Sequence, residues 1–535
     1  RKLLSKVPGI THPYLNVGRI EGGTNTNVVP GKVTFKLDRR MIPEENPAEV
    51  EATLRRVMAE AVAQSKGITI EVKRILLANK ESLVMAGELF MAACREAGAV
   101  VDDETRMVRL DADLVRWAVA SAPSSFEIHA RNQANTARIG GRGLSLLAVA
   151  GPPYVSDLER GRRPGTLADF EHFVMLTQRC DVLHAITPAV EAQDVPMNLR
   201  HLATGHSMLT ISDKVPYVNA RGRGVVADGF EMIRIANGLT DDQFRAAPYV
   251  WTNINTNSPR QLDIPMSMGI IDFAAAGQAT IMTPFTLSGA MAPVSLAGAL
   301  VLQHIEALAA ITLSQVVRAG APIVYGAFTS NVDMKSGAPA FGTPEGVKAA
   351  IASGQLARHI EVPWRSQAAS TSNTEDAQGG YETMLSMMAC LMGGANVVVH
   401  AAGWQEGGLT ASLEKFVLDV EMLQIIAETF QPVVLDDAEL AIDAIDDVGP
   451  GGHFFGTQHT LDRFETAFYE PTVFTRQNFG QWTDGGSSTA AQRAHHVWQQ
   501  WIREFERPPI DDAVQAALDE FVARRTAAGG ALPES

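Results

Sequence analysis

The chain has 535 residues, of which 46% are hydrophobic, and a formal net charge of −15. This length and apolar content are enough for one large core and a further domain. The acidic balance argues against a nucleic-acid groove or a surface for anionic membranes, because both require a basic stripe. We therefore expect a small-molecule enzyme that binds neither nucleic acid nor membrane.

The cysteines and the apolar segments indicate the compartment. Cys94, Cys180 and Cys390 are widely spaced and form no Cys-x-x-Cys motif, so the pattern predicts neither a disulfide framework nor a thiolate metal site. No apolar run reaches the roughly 18 residues of a membrane span, and no signal peptide opens the chain. These observations favour the cytoplasm.

Residues 1–79 differ in character from the rest of the chain. Leu15–Ile20 and Lys32–Asp38 have the pattern of strands, and Pro43–Gln64 has the period of an amphipathic helix. Ile68–Ile75 alternates again between polar and apolar residues. We therefore predict a small, lid-like α+β domain over residues 1–79.

Two motifs in this segment carry a resemblance. They are Asn16-Val-Gly-Arg-Ile-Glu-Gly-Gly-Thr-Asn-Thr-Asn27-Val-Val-Pro30 and Leu37-Asp-Arg-Arg40. They resemble the dimerisation domain of M20 metallopeptidases. The metal ligands of that family's catalytic domain have no counterpart at plausible spacing, so hydrolysis is not expected. The segment is either a fusion used for association or an accident of gene rearrangement or gene prediction.

Residues 80–144 are predicted to form a helical cap that leads into a larger domain. Apolar side chains recur at helical spacing, and Val100–Leu110 has the pattern of two short strands joined by a turn. The helical positions are Leu83, Leu89, Ala93 and Ala97.

Residues 145–470 repeat one unit, a short apolar strand followed by a loop and a helix. Helices such as Leu167–Arg179 and Ser295–Arg318 are long enough for right-handed crossovers, so the strands should be parallel and close into a (β/α)8 TIM barrel. An open doubly wound sheet is the alternative, but no Gly-x-Gly-x-x-Gly motif opens the first unit. The predicted strands are Ser145–Ala150, Leu183–Thr187, Val215–Asn219, Tyr249–Ile254, Ala279–Thr283, Ile323–Ala327, Glu361–Trp364 and Ala395–His400.

The last of these units has the clearest pattern. Its helix ends at Gly393-Gly394, and Ala395–Val399 is an apolar run typical of a buried parallel strand. His400 and Trp404 follow the carboxyl end of that strand. In parallel α/β folds this end carries the functional site. Residues 471–535 are then predicted to form a charged helical tail, anchored by Val497, Trp501, Ile502 and Phe505.

Side chains that follow the predicted strands gather at one end of the barrel, here called the mouth. Aromatic residues make up 7% of the chain, so their concentration at the mouth indicates a pocket for an alkylated ammonium ion, which binds to ring faces. The alternative is that the same rings plug the barrel. The predicted substrate-binding residues are Trp404, Tyr381, Phe285, Tyr325, Phe328, Trp251 and Asn255.

Four polar side chains near the mouth are candidate catalytic residues. A lone histidine at a strand end is most often a hydrogen-bonded core residue, Asp376 also fits a helix N-cap, and Glu406 could balance a cation. For these three residues both interpretations stay open. The four candidates are His400, Glu406, Asp376 and Gln378.

Several Gly/Pro-rich segments together carry a second resemblance. They include Gly151-Pro-Pro-Tyr-Val-Ser-Asp157, Ala292-Pro-Val-Ser-Leu-Ala-Gly-Ala299, Gly320-Ala-Pro-Ile-Val-Tyr-Gly326, Gly449-Pro-Gly-Gly-His-Phe-Phe-Gly456 and the stretch from Asp376 to Phe416. From about Lys80 onward the chain resembles the trimethylamine methyltransferase family. Members of that family move a methyl group from a methylated amine to a corrinoid that a separate protein carries.

The resemblance implies a cobalamin-type cofactor that a corrinoid protein partner supplies. The Asp-x-His-x-x-Gly signature of cobalamin-carrying domains is absent from this chain. No metal is expected to bind the chain itself, and a homo-oligomer is expected. The glycines that face the corrinoid would permit its close approach, although they also fit tight turns. The corrinoid-facing candidates are Gly407, Gly408, Gly451, Gly452, His453 and His459.

The resemblance also bears on the substrate. The family's trimethylamine enzymes carry pyrrolysine, and this sequence shows none. A quaternary ammonium already has the charge that makes a neutral tertiary amine its leaving group, so the reaction needs no acid. We predict a methyltransferase acting on glycine betaine or a related betaine. Activity on another methylated amine and a non-catalytic betaine-binding barrel stay open, as do the partner and the oligomeric state.

Overall fold

The structure is a computed structural model that describes Tyr14–Gly22, Val33–Arg40, positions 49, 52, 53, 55–57 and 60, and residues 91–103 and 107–533. The chain divides into two compact units, Arg1–Asp111 with Ser535 and Ala112–Glu534. The second unit therefore contains the whole predicted barrel and the predicted tail up to Glu534. The predicted domain limits at residues 79, 144 and 470 stay predictions.

The described residues of the first unit form two antiparallel strand pairs. Strand β1 (Tyr14–Gly22) pairs with β2 (Val33–Arg40), and β3 (Val100–Asp102) pairs with β4 (Met107–Arg109). Strands were predicted at all four places. The predicted helix Pro43–Gln64 is helical at the positions described between 49 and 60. The predicted strand Ile68–Ile75 and the helical positions Leu83 and Leu89 lie outside the described residues.

The second unit alternates strands and helices. Its strands are β5 (Ser125–Ile128), β6 (Ala137–Gly140), β7 (Ser145–Leu146), β8 (Tyr154–Ser156), β9 (Arg163–Pro164), β10 (Trp251–Asn255), β11 (Ala279–Thr283), β12 (Leu287–Ser288), β13 (Ile323–Gly326), β14 (Ser330–Val332), β15 (Pro339–Ala340), β16 (Trp364–Gln367), β17 (Val397–Val399), β18 (Trp404–Gln405) and β19 (Thr410–Ser412).

Helices surround these strands and form the C-terminal tail. They are α1 (Ala112–Ser121), α2 (Leu167–Arg179), α3 (Arg200–Ile211), α4 (Arg223–Asn237), α5 (Asp241–Ala246), α6 (Ile264–Ala276), α7 (Leu296–Val317), α8 (Pro344–His359), α9 (Ala377–Gly393), α10 (Leu413–Thr429), α11 (Asp437–Leu440), α12 (Ile442–Val448), α13 (Gln458–Leu461), α14 (Phe479–Asp484), α15 (Ala490–Arg503) and α16 (Asp512–Ala527).

Eight parallel segments close into a ring. Six strands are hydrogen-bonded in the order β10-β11-β13-β16-β17-β7. Single parallel bridges complete the circle, because Leu147 pairs with Ala185, Ala185 with Val215, and Tyr217 with Trp251. Each segment is followed by a helix of the outer layer, from α2 to α10. The predicted (β/α)8 barrel is therefore confirmed.

A hairpin closes the barrel at the end opposite the mouth. Strands β5 and β6 pair antiparallel, and Ile128 and Ile139 pack in one core cluster with the first residues of several barrel strands, such as Trp251, Ala279 and Val397. The core cluster packs the inside of the ring with side chains that reach from the hairpin along the barrel strands.

The seventh barrel strand lies three residues later than predicted. It was expected at Glu361–Trp364, whereas β16 spans Trp364–Gln367. The helix before it runs to His359, and Glu361 takes a left-handed φ of 56°, which ends the helix and delays the strand. The shift places Arg365 inside the strand.

Two small sheets lie at the mouth. One has the strand order β18-β19-β8-β9 and the other β12-β14-β15. Their strands belong to the loops that follow barrel strands β7, β11, β13 and β17. The loops of the mouth are thus cross-linked by main-chain hydrogen bonds, which hold their side chains in defined positions.

The tail packs on the outside of the barrel. Helix α15 lies against α2 and α10, and α16 lies against α3 and α4. The predicted anchors Val497, Trp501, Ile502 and Phe505 are only half-buried, whereas His495 and Trp498 are buried and both bond to Glu414. The predicted tail is helical, with its main contacts one turn earlier than expected.

One helix of the described chain, α7, is long and apolar enough to cross a membrane by length and composition alone. Half of its apolar stretch is buried inside the protein. Gln303, Glu306 and Gln315 are also buried on it, and Gln303 donates a hydrogen bond to the hydroxyl of Tyr325 on β13. We therefore assign α7 to the barrel wall.

Candidate active site

A cluster of aromatic rings lies at the mouth. The ring centroid of Phe328, just after β13, lies 5.0 Å from that of Phe285, 5.2 Å from Phe341 and 6.2 Å from Trp404. The centroids of Phe341 and Trp404 are 6.3 Å apart. Rings at these separations offer faces and edges to an alkylammonium ion. We call Phe285, Phe328, Phe341 and Trp404 the aromatic cluster.

The loop after β17 presents His400 and Trp404 to the mouth through unusual backbone angles. His400 has a φ of 64° and Gly403 has a φ of 88°. The N–H of Gly403 donates to Asp419 at 2.9 Å, and a Cβ added at Gly408 would lie 2.4 Å from the Trp404 ring. Gly403 therefore permits the turn, and the missing side chain of Gly408 leaves room for the indole ring of Trp404.

His400 is buried next to the aromatic cluster. Its ring centroid lies 3.8 Å from that of Trp404. Its Nδ1 accepts a hydrogen bond from the main chain of Ala150 at 3.2 Å, and its Nε2 lies 3.3 Å from Nη2 of Arg365. Burial, and then the charge of Arg365, hold the pKa of His400 well below its usual value, so the ring is neutral at neutral pH.

Arg365 is a buried cation without an ion-pair partner among the described residues. Its guanidinium carbon lies 5.3 Å from the centre of the Phe328 ring, while Nε and Nη1 are buried without a hydrogen-bond partner. Within residues 107–533 no carboxylate forms an ion pair with it. Burial lowers the pKa of Arg365 to about 9. A charge in this state is costly unless a ligand compensates it.

Glu406, a predicted catalytic residue, is held in an ion pair at the rim of the mouth. It accepts hydrogen bonds from Arg162 at 2.6 and 3.0 Å and from Thr410 at 2.5 Å, and Arg162 stacks on Tyr154. Burial tends to raise the pKa of Glu406, but these partners outweigh it and the pKa is lowered. The geometry matches the simpler reading, a carboxylate that balances a cation.

Asp376, Gln378 and Tyr381 lie at the start of α9, away from the aromatic cluster. Asp376 is the N-cap of this helix and accepts a hydrogen bond from the N–H of Gly379, which lowers its pKa. Gln378 is exposed and donates to Glu382. The side chain of Tyr381 is 77% exposed, so it adds no wall to a pocket.

Three other predicted substrate-binding residues lie in different places. The Tyr325 hydroxyl points to α7, where it contacts Gln303 and His304. Trp251 is part of the core cluster and donates to Ile186. Neither borders the mouth, because Tyr325 faces outward and Trp251 begins its strand. Asn255 ends β10 at the mouth and is exposed.

The remaining corrinoid-facing candidates lie beyond α10. Gly451, Gly452 and His453 are exposed, and His459 contacts the main chain of Ala438 within the same segment. None of their described hydrogen bonds reaches the mouth. Gly407, by contrast, lies three residues after Trp404 and has open space where a Cβ would stand.

A buried polar network supports the loop of Trp404. The Lys415 ammonium donates to Asp419 at 2.7 Å and to Thr383 at 2.8 Å, and Asp419 accepts from Gly403 as described above. Gln405 donates to Glu375 at 2.9 Å. These contacts connect α9 and α10 to the loop, so they hold the Trp404 side chain in its position at the mouth.

Three features of this site escaped the sequence analysis. A charged residue directly after the apolar run Val362-Pro363-Trp364 was a usable signal for Arg365. An acid and a base four residues apart on an apolar helix were a signal for Lys415 and Asp419. Phe341 lies in a loop without periodicity, so no local pattern marked it.

Comparison with known proteins places the chain in a family. Residues 50–530 match the family profile described as Trimethylamine methyltransferase (MTTB). The chain belongs to the trimethylamine methyltransferase family. The predicted family and enzyme class, a methyltransferase, are thereby confirmed. Residues 2–66 match the Peptidase dimerisation domain, as the N-terminal motifs indicated.

Two relatives within this family are similar over most of their length. Glycine betaine methyltransferase of Desulfitobacterium hafniense (strain Y51) is 36% identical over 424 residues, which are 79% of this chain and 88% of that protein. Trimethylamine methyltransferase MttB of Desulfitobacterium hafniense (strain DSM 10664 / DCB-2) is 28% identical over 431 residues, with coverage of 80% and 86%. The crystal structure of Methanosarcina barkeri monomethylamine methyltransferase (MtmB) aligns with a TM-score of 0.45 at 10% identity, covering 79% of this chain and 88% of that chain.

Proposed function

We propose that this chain moves a methyl group from a quaternary amine, glycine betaine or a related betaine, to the corrinoid of a separate protein. The observation that carries the proposal is the aromatic cluster at the mouth of a barrel whose relative at 36% identity is named for this substrate. A trimethylammonium group has no hydrogen to donate, so ring faces are its natural partners.

The chain's own residues would bind and orient the amine. Phe328, Phe341 and Trp404 would hold the ammonium and exclude water from the reacting carbon, which favours transfer from a charged donor to a neutral product. The leaving group is a neutral tertiary amine, so no proton has to move. This agrees with a neutral His400 and with a Glu406 that Arg162 already engages.

The corrinoid would approach over the rim of the mouth. When bound on its own protein it supplies the Co(I) nucleophile that accepts the methyl group. Gly407 fits such an approach, because its backbone is open and bears no side chain. Gly408 is explained by the packing of Trp404, and Gly451, Gly452, His453 and His459 stay predictions. We place the reaction in the cytoplasm.

A direct assay tests the proposal. Purified full-length protein is mixed with glycine betaine and chemically reduced cobalamin, and methyl-cobalamin is followed by its absorbance together with dimethylglycine by mass spectrometry. We expect both products in equal amounts, at rates that rise when a cognate corrinoid protein is added. Betaine binding without methyl transfer, either to free cobalamin or to the corrinoid protein, would instead support a non-catalytic betaine-binding barrel.

A further inference from the structure

The floor of the mouth holds two hydrogen-bond donors that face each other. A neutral imidazole has one nitrogen that accepts and one that donates. Nδ1 of His400 already accepts from the main chain of Ala150, which can only donate. Nε2 then carries the hydrogen, and it lies 3.3 Å from Nη2 of Arg365, which also only donates. Neither of these two donors has an acceptor in the other, so a hydrogen-bond acceptor is missing between His400 and Arg365.

The same place lacks a negative charge. Arg365 is 1% exposed, its Nε and Nη1 have no partner, and no ion pair to it exists within residues 107–533. Buried guanidinium groups are normally paired with carboxylates. An anion that accepts from Arg365 and from Nε2 of His400 would satisfy both donors and neutralise the charge.

The unpaired cation also lies beside the proposed ammonium pocket. The guanidinium is 5.3 Å from the Phe328 ring, which belongs to the aromatic cluster. An ammonium ion bound to that ring would lie near the guanidinium, and two like charges close together in a desolvated site repel each other. A substrate with only a positive charge would therefore bind poorly here, whereas a zwitterion would bring its own compensating charge.

We propose that Arg365 and His400 form a carboxylate-binding subsite that selects amines with a carboxylate close to the quaternary nitrogen. The inference rests on the proposed function, and it assigns the specificity to named residues. The carboxylate lies at the floor against Arg365, and the trimethylammonium group lies above it among the rings. This orientation leaves the methyl groups facing the rim.

Calorimetry on the full chain tests the subsite without any corrinoid. The probes are glycine betaine, which has the carboxylate, and choline and tetramethylammonium, which do not. We expect the wild-type protein to bind glycine betaine at least about 10-fold more tightly than choline. Arg365→Met should weaken glycine betaine binding by about 30-fold or more and should not weaken choline binding. Arg365→Lys keeps the charge but loses the forked geometry, so it should lie between the two.

A matched control variant and two contradicting outcomes complete the test. Arg318→Met removes another half-buried arginine, which donates to a main-chain carbonyl far from the mouth, and it should leave both affinities unchanged. Equal affinity of the wild-type protein for choline and glycine betaine would overturn the subsite even if Arg365→Met failed to fold. So would a folded Arg365→Met protein that bound glycine betaine like the wild type.

The methyl-transfer assay separates this inference from the proposed function. Transfer from choline at the rate of transfer from glycine betaine, with Arg365→Met equally active on both, would refute the subsite and leave the methyltransferase standing. Selective, Arg365-dependent binding of glycine betaine without any methyl transfer would refute the proposed function and leave the subsite standing.

Discussion

Trp404 occupies its position because of its neighbours. It contacts His400 and Phe341, and the missing side chain of Gly408 makes room for its ring. The indole is 7% exposed, and its Nε1 is buried without a hydrogen-bond partner. Such a ring offers its face and edge more than its polar atom, as expected for a wall of an ammonium pocket.

Replacing Trp404 by Leu keeps much of the apolar volume but removes the indole quadrupole. We expect the Kd for glycine betaine to rise about 2- to 30-fold, which corresponds to a cation–π contact of about 0.5–2 kcal/mol. Calorimetry measures the change. The matched control is Trp501→Leu in the tail, whose ring stacks with Arg179 and which should bind betaine normally. An unchanged Kd in Trp404→Leu would contradict the aromatic pocket.

At the scale of single residues, the sequence could indicate which end of the strands carries the site, but not the direction of each side chain. His400 and Trp404 follow a strand whose apolar run was clear, and both lie at the mouth. Tyr325 and Trp251 lie in equally clear strands but point to α7 and to the core cluster. Period-2 patterns fail in a barrel because both faces of its strands are buried.

The loop between β17 and α10 is the element that shapes the site. Its ends are fixed by the hydrogen bond from Gly403 to Asp419 and by the pairing of β18 with β19. Lys415 neutralises Asp419 inside the protein. The ion pair therefore positions the loop through the hydrogen bond from Gly403 to Asp419.

Adjacent glycines in this loop allow a matched test. Gly408 has a φ of 102° and a Cβ there would strike the Trp404 ring, whereas Gly407 has a φ of 60° and open space. We expect Gly408→Ala to displace the indole and to weaken betaine binding at least about 10-fold. Gly407→Ala should cost about 1–2 kcal/mol of stability from its left-handed backbone while betaine binding persists.

Thermal unfolding and calorimetry on both variants provide the measurement. Equal betaine affinity in the two variants would show that the loop tolerates movement of the indole. The variant at Gly407 also separates backbone strain from the displacement of Trp404. Both substitutions place a side chain on a left-handed backbone, but only the one at Gly408 contacts the Trp404 ring.

The position of β16 along the chain is the part of the barrel that the sequence predicted incorrectly. The apolar pattern located all eight barrel segments, but this strand was placed three residues early. That error put Trp364 at the carboxyl end and left Arg365 outside the strand, so the unpaired cation was overlooked. Helix ends depend on single backbone angles, here the left-handed Glu361, which apolar periodicity does not encode.

On the scale of the whole molecule, the two compact units differ in their relation to the site. The residues of the aromatic cluster and of the carboxylate subsite all belong to the unit Ala112–Glu534. Deletion of residues 1–79 should therefore leave the Kd for glycine betaine within about three-fold of the parent value. Calorimetry on the truncated chain checks this. A folded truncation that no longer binds betaine would show that the N-terminal segment completes the site.

The second unit also exposes many phenylalanine side chains between α10 and α14. Seven phenylalanines in this segment are exposed by 45% or more. With about 200 Å² for each ring, they alone expose roughly 900 Å². The largest apolar patch of a typical monomer is about 300–600 Å². The seven are Phe430, Phe454, Phe455, Phe464, Phe468, Phe474 and Phe479.

We infer that these phenylalanines form one surface and that a second copy of the chain covers it. A stable dimer buries about 800 Å² on each partner, and permanent interfaces are the apolar ones. The corrinoid protein is a less suitable occupant, because it must leave at every turnover and would expose the phenylalanines to water each time. The expected mass in solution by light scattering is therefore at least twice the 57.5 kDa of the chain.

The double variant Phe455→Asp/Phe468→Asp tests this interface, because it places charges on two side chains that are 83% and 81% exposed. We expect it to fold, since neither ring is buried within the chain, and to elute as a monomer. Met334→Asp alters another exposed apolar side chain, 72% exposed and outside the segment, and should leave the mass unchanged. A monomeric wild-type protein at micromolar concentration would rule out the second copy as the occupant.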